Sequence, residues 1–226
     1  MNFEIQSYEF YHIGIKLKSY VELSVLVSKL SKTLEEKGFE IIKNDKRVET
    51  LESIMGSLTG SRVETFATKN GVNVMANFGG GAIIVRSEAP ENVDNILNVF
   101  EEILEYFPKI NYDVDSTVAF FDIITNIIID TDDAKTLLGK SIKMSSTTLD
   151  ELNYNITPQG IRVSVFEKNE TEDKDKFDII LGQFQINPKS LLLQFTFRSN
   201  NKKKINNIHN KRDEIIQQII ESMEGS

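Results

Sequence analysis

His12 and His209 are the only histidines in this 226-residue chain, and no cysteine accompanies them. Histidine is the natural general acid or base near neutral pH, so a catalytic pair would require the two to meet in space. Their surroundings give them plainer roles. His12 alternates with Ile13 in FYHIGIKLK and reads as a residue on a sheet surface; His209, in the Asn-rich start of a helix (INNIHNKRD), reads as a capping or packing residue. Carboxylates offer a second chemistry. Asp130, Asp132 and Asp133 follow a strand-like run and could give oxygens to a divalent cation. Aspartates at the first turn of a helix also satisfy free N–H groups and the helix dipole, and that is the reading adopted, with no metal and no cofactor expected. The acids of KNETEDKDK are interleaved with lysines and lack calcium-loop spacing, which makes that stretch a hydrated hairpin tip.

Two further features concern anions. Successive backbone N–H groups of Gly79-Gly80-Gly81 could cradle a phosphate. No Lys-Ser or Lys-Thr follows and no helix begins there, so the triplet reads as a turn between strands. Arg198, Lys202, Lys203, Lys204, Lys211 and Arg212 cluster without an intervening acid and could neutralise phosphates, each adding salt-dependent affinity. Against that stand the absence of interleaved aromatic residues, since Phe195 and Phe197 belong to the preceding strand, and a net charge of -8, which repels phosphate. Nucleic acid is therefore the second choice of partner.

The elements that must carry these residues follow from periodicity. Phe10 to Lys18 alternates as a half-buried strand, and Val21, Val25, Leu26, Leu30 and Leu34 recur at helical spacing before Gly38, a C-cap signal. Phe39 to Ile42 reads as a short strand; residues 44–60 remain unassigned. Val63 to Thr68 and Val72 to Phe78 flank Lys69-Asn70-Gly71, a tight hairpin, and Ala82 to Arg86 is the next strand. Pro90 opens a helix whose stripe is Val93, Ile96, Leu97, Phe100, Ile103, Leu104 and Phe107, closed by Pro108. Thr117 to Ile129 is dense enough in apolar residues to suggest burial on both faces, and Thr131-Asp132-Asp133 caps a short helix through Leu138. Residues 139–158 are loop-rich. Gly160 to Glu167, Phe177 to Ile186 and Leu191 to Phe197 are strands, joined across a linker from Lys168 to Lys176, and one amphipathic helix runs from Ile205 to Met223.

Each half then reads strand, helix, antiparallel strands, helix, over residues 1–110 and 111–226. The expected fold is α+β, with two similar halves and helices packed on one face of the sheet. Apolar residues make up 40 % of the chain, enough for real cores. Lack of cysteine points to the cytoplasm. MNFEIQSYEF lacks a secretory signal, and no apolar run approaches a membrane span, so no membrane partner is expected.

Two resemblances attach to these stretches. The order of elements resembles the duplicated half of the TATA-box-binding-protein family, and VNVMANFGGGAIIVRSEAPENVDNILNVFEEILEYF resembles the strand, turn, strand and long helix closing each of its halves. That likeness implies DNA bending by a concave sheet with phenylalanine wedges; the acidic first half and the lack of a wedge pair in each half depart from it. More of the chain is similar to an uncharacterised, sporadically distributed prokaryotic family. The matching stretches are Tyr8 to Lys18, RVETFATKNGVNVMANF with its helix, FFDIITNIII, and LLLQFTFRSN with the end of the chain. In them Thr125-Asn126-Ile127 stands at a Tyr-x-Asn position and Ile208-His209 at a leucine-histidine position. That resemblance implies a whole-chain module, in mobile or defence-related genes by analogy, and no activity. The function expected is a non-enzymatic binding module for a protein partner or a second copy of itself, with nucleic-acid binding and a metal-dependent enzyme as alternatives.

Overall fold

Alternating residues in the first strand divide cleanly between two environments. In this computed structural model, which describes residues 4–42, 62–87, 93–130, 160–166, 175–183 and 189–224, strand β1 (Glu4–Leu17) buries Tyr11, Ile13, Ile15 and Leu17, while Phe10, His12 and Lys16 face the other way, half-buried. Helix α1 (Leu23–Glu36) buries Leu23, Leu26, Leu30 and Leu34 and ends at Gly38, whose φ of 79° is free of strain only for glycine. Val25 lies off that stripe and is exposed. After β2 (Glu40–Ile41) come β3 (Val63–Lys69) and β4 (Val72–Asn77), joined by Asn70 and Gly71 at φ 52° and 73°. Two consecutive positive φ angles make the mirror-image turn that suits the twist of a hairpin. Strand β5 (Ala82–Ser87) and helix α2 (Val93–Tyr106) follow, the latter burying Val93, Ile96, Val99, Phe100, Ile103 and Leu104.

A 3-10 turn at Pro108–Ile110 and the short helix α3 (Val114–Thr117), capped by Asp113 accepting from the Ser116 N–H at 2.8 Å, lead into β6 (Val118–Asp130). Strands β7 (Gly160–Phe166), β8 (Asp175–Gln183) and β9 (Ser190–Ser199) and helices α4 (Lys202–Asn210) and α5 (Arg212–Glu224) complete the described chain. All nine strands form one sheet in the order β2-β3-β4-β5-β1-β6-β9-β8-β7, and every pairing is antiparallel. The fold is thus α+β. Buried side chains of the sheet and helices make one core on one face, with Phe100 edge-on to Phe121. No helix among the described residues is long and apolar enough to cross a membrane.

The structure corrects several expectations. Strand β6 is buried on one face only: Phe121, Ile123, Thr125, Ile127 and Ile129 are covered, and the residues between them are half-buried. Thr117 belongs to α3, because Asp113 caps a helical turn there. Strand β4 stops at Asn77, leaving Phe78 exposed. Asp175 and Lys176 belong to β8, where their charges pair with neighbours. The last helix is two helices. Arg212 donates to the His209 carbonyl at 3.1 Å, holding the end of α4, and its guanidinium reaches Asp94 at 2.8 Å. Residues 44–60, Pro90, Asp132, Asp133 with their helix, 139–158 and all but the last two residues of the 168–176 tip lie outside the described residues.

Candidate binding face

Cross-strand register decides which side chains share the face opposite the helices. His12 lies beside Arg86 of β5 and Ile124 of β6, and Asp122 beside Gly14 of β1 and Arg198 of β9. The Arg86 guanidinium sits over the Phe10 ring, 4.7 Å from its centroid, and the His12 ring stacks on the same phenylalanine at 5.9 Å. Burial and, secondarily, the Arg86 charge hold the His12 imidazole down to a pKa of about 4, so it is neutral at physiological pH.

Across the β6–β9 pairing Arg198 stands over Phe120 at 4.1 Å and reaches the Asp122 carboxylate at 3.7 Å. Asp122 has room because residue 14 is glycine: a Cβ there would come within 2.1 Å of the Asp122 Oδ1. Burial raises the Asp122 pKa above its ordinary value, against the opposing pull of Arg198, Lys16 and the Gly14 backbone. Lys16 also donates to the Gly80 carbonyl. Beside it the glycine triplet turns between β4 and β5, with Gly81 at φ 60°, and forms one wall of a cavity of about 490 Å³ between that turn and the start of α1.

His209 occupies the opposite side of the sheet. Its side chain is buried in the last turn of α4, not at a helix start, with Nδ1 2.9 Å from the Tyr11 hydroxyl and the two rings edge to face. Burial, assisted by Arg212 and opposed by Asp94 and Asp213, lowers its pKa to about 4. Tyr11 and His12 are consecutive on β1 and point to opposite faces, so the sheet itself separates the two histidines.

The basic cluster is dispersed. Arg198 belongs to the helix-free face, Lys204 is bonded to Asp175, and Arg212 turns inward to Asp94 and the His209 carbonyl. Lys202, Lys203 and Lys211 are exposed around α4. Asp130 accepts from the Ser190 hydroxyl at 2.7 Å, and no group of three or more His, Cys, Asp or Glu residues among those described could hold a metal ion. Of the residues that sequence reasoning missed, Phe10, Phe120 and Asp122 are signalled only by Phe-x-His and Phe-x-Asp on the outward positions of two strands, and Arg86 by nothing local. No protein-family model matches the chain, and no curated protein matches it.

Proposed function

We propose that this chain is a non-enzymatic binding module, built from two similar halves, that holds a protein partner on the helix-free face of its sheet. The observation that carries the reading is the make-up of that face. Phe10, Met75, Ile84, Phe120, Ile124 and Leu192 stand there half-buried among arginines, and aromatic residues, Met and Arg are the types enriched at protein interfaces. The two histidines are divided between opposite sides of the sheet, which argues against a catalytic pair.

Two features support the duplicated architecture. The strand order runs β1, β5, β4, β3 outward on one side and β6, β9, β8, β7 on the other. An arginine over a phenylalanine recurs at matching places, Arg86 on Phe10 with His12 as its paired neighbour and Arg198 on Phe120 with Asp122. This layout supports the likeness to duplicated sheet-and-helix folds, without their DNA chemistry. The family resemblance suggests a complex in regulation or defence as the setting, and the lack of cysteine suggests the cytoplasm.

The test is capture of native partners on purified wild-type protein beside a Leu192→Glu variant with an unchanged melting curve. A stoichiometric protein retained by wild type and lost by the variant is expected. Nothing retained in stoichiometric amount, or equal retention by both, sinks the reading.

A further inference from the structure

Over β7, β8 and β9 the helix-free face presents cations outward and carboxylates inward. Arg162, Lys176 and Arg198 keep 63 %, 40 % and 46 % of their side chains exposed, whereas Asp178 and Asp122, their partners, keep 14 % and 16 %. The register places Arg162 directly beside Ile180, and Lys176 directly beside Arg198 four residues back along β8, all on one face. Ile180 is 37 % exposed, one of the few large apolar side chains in this state among the described residues. The ion pairs are loose at two of the three contacts, 3.6 Å for Arg162 to Asp178 and 3.7 Å for Arg198 to Asp122, against 2.9 Å for Lys176 to Asp178. Three basic groups share two carboxylates, an excess of one positive charge among these described side chains on a chain whose overall charge is -8.

We infer that this patch docks an acidic, extended segment of a partner protein, whose carboxylates meet Arg162, Lys176 and Arg198 while an apolar side chain covers Ile180. The inference rests on the protein-binding reading and adds the chemistry of the partner. Charge complementarity selects this occupant. A second copy offering the same face would set like charges against each other. Nucleic acid fits less well, because the Phe120 ring near the patch is already covered by Arg198 and so is not open to base stacking. An apolar anchor beside Arg162, with Lys176 and Arg198 further along the same strands, instead matches an extended peptide that carries an apolar side chain between acidic ones.

The experiment is fluorescence anisotropy of three labelled probes, a random copolymer of glutamate and tyrosine, polyglutamate, and an oligothymidylate, at low and high salt. The proteins compared are wild type, the triple variant Arg162→Gln, Lys176→Gln, Arg198→Gln, and Ile180→Ser, each checked for an unchanged melting curve. Expected are tighter binding of the copolymer than of polyglutamate, weakening with salt, and a loss of about tenfold in the triple variant and severalfold in Ile180→Ser. Equal binding by wild type and the triple variant overturns the inference, as do tighter binding of oligothymidylate, absence of copolymer binding, or a salt-dependent dimer that excludes the copolymer. A natively captured partner lost with Leu192→Glu but retained by the triple variant removes the acidic-segment inference and leaves the protein-binding reading standing.

Discussion

Replacing His209 with glutamine should flatten the acid sensitivity of this protein. His209 is buried against Tyr11 with a pKa of about 4, whereas the same imidazole in the unfolded chain titrates at its ordinary 6.5. Between those values the unfolded chain binds the proton and the folded one does not, so stability is complete above 6.5 and is lost as the pH falls toward 4. From pH 7 to pH 5 the linkage integral gives a loss of about 2 kcal/mol for this one side chain. His12, lowered to the same level on the other face, adds a similar amount, and together they remove about 4 kcal/mol from a stability that for ordinary domains is about 5–15 kcal/mol. Asp122 works in the opposite sense, since its raised pKa favours folding as the pH drops, but it is common to both proteins and cancels in their comparison. Urea unfolding of wild type and His209→Gln at pH 7, 6 and 5 reads the effect. Glutamine keeps a hydrogen-bonding group near the Tyr11 hydroxyl, so the variant remains folded, and it should lose about 2 kcal/mol less than wild type over that range. Parallel losses in the two proteins would show that His209 is protonated in the fold and that burial does not control it.

Other substitutions test the packing. Gly14→Ala should cost about 1–3 kcal/mol by displacing the Asp122 carboxylate, and most of that cost should vanish in an Asp122→Ala background, measured as a double-mutant cycle in urea. A full cost in both backgrounds would mean that the glycine serves the strand backbone instead. Gly71→Ala forces a side chain onto φ 73° and should cost about 1–2 kcal/mol in the same assay. Leu30→Ala, at the buried centre of α1, should cost about 2–5 kcal/mol, and a smaller loss would indicate that the helix packs loosely on the sheet.

Much of the fold is legible because its signals are local. Asn70-Gly71 sets a hairpin by itself, and Leu26, Leu30 and Leu34 mark the inward stripe of α1 without reference to anything else in the chain. The start of β1 is hidden for a physical reason. Register shifts between Ile5 and Ser7 and between Tyr8 and Phe10 break the alternation that would announce a strand beginning at Glu4. The first two residues of β8 are concealed by their charges, since Asp175 and Lys176 look like part of a hydrated tip until their partners Lys204 and Asp178 are known. The division between α4 and α5 depends on Arg212 reaching a carbonyl of α4 and Asp94 of α2, contacts that no periodicity encodes. The pairings on the helix-free face are hidden for the same cause. Arg86 meets His12, and Arg198 meets Asp122, only through a register between strands remote in sequence.

Strand β1 lies inside the sheet, with β5 on one flank and β6 on the other. During synthesis its second flank must wait until the chain has grown past residue 118, and until then a ladder from Glu4 to Leu17 stands bare. Residues 1–110 made alone would keep that bare ladder permanently, and a like ladder from another molecule could close it antiparallel, as β6 does here.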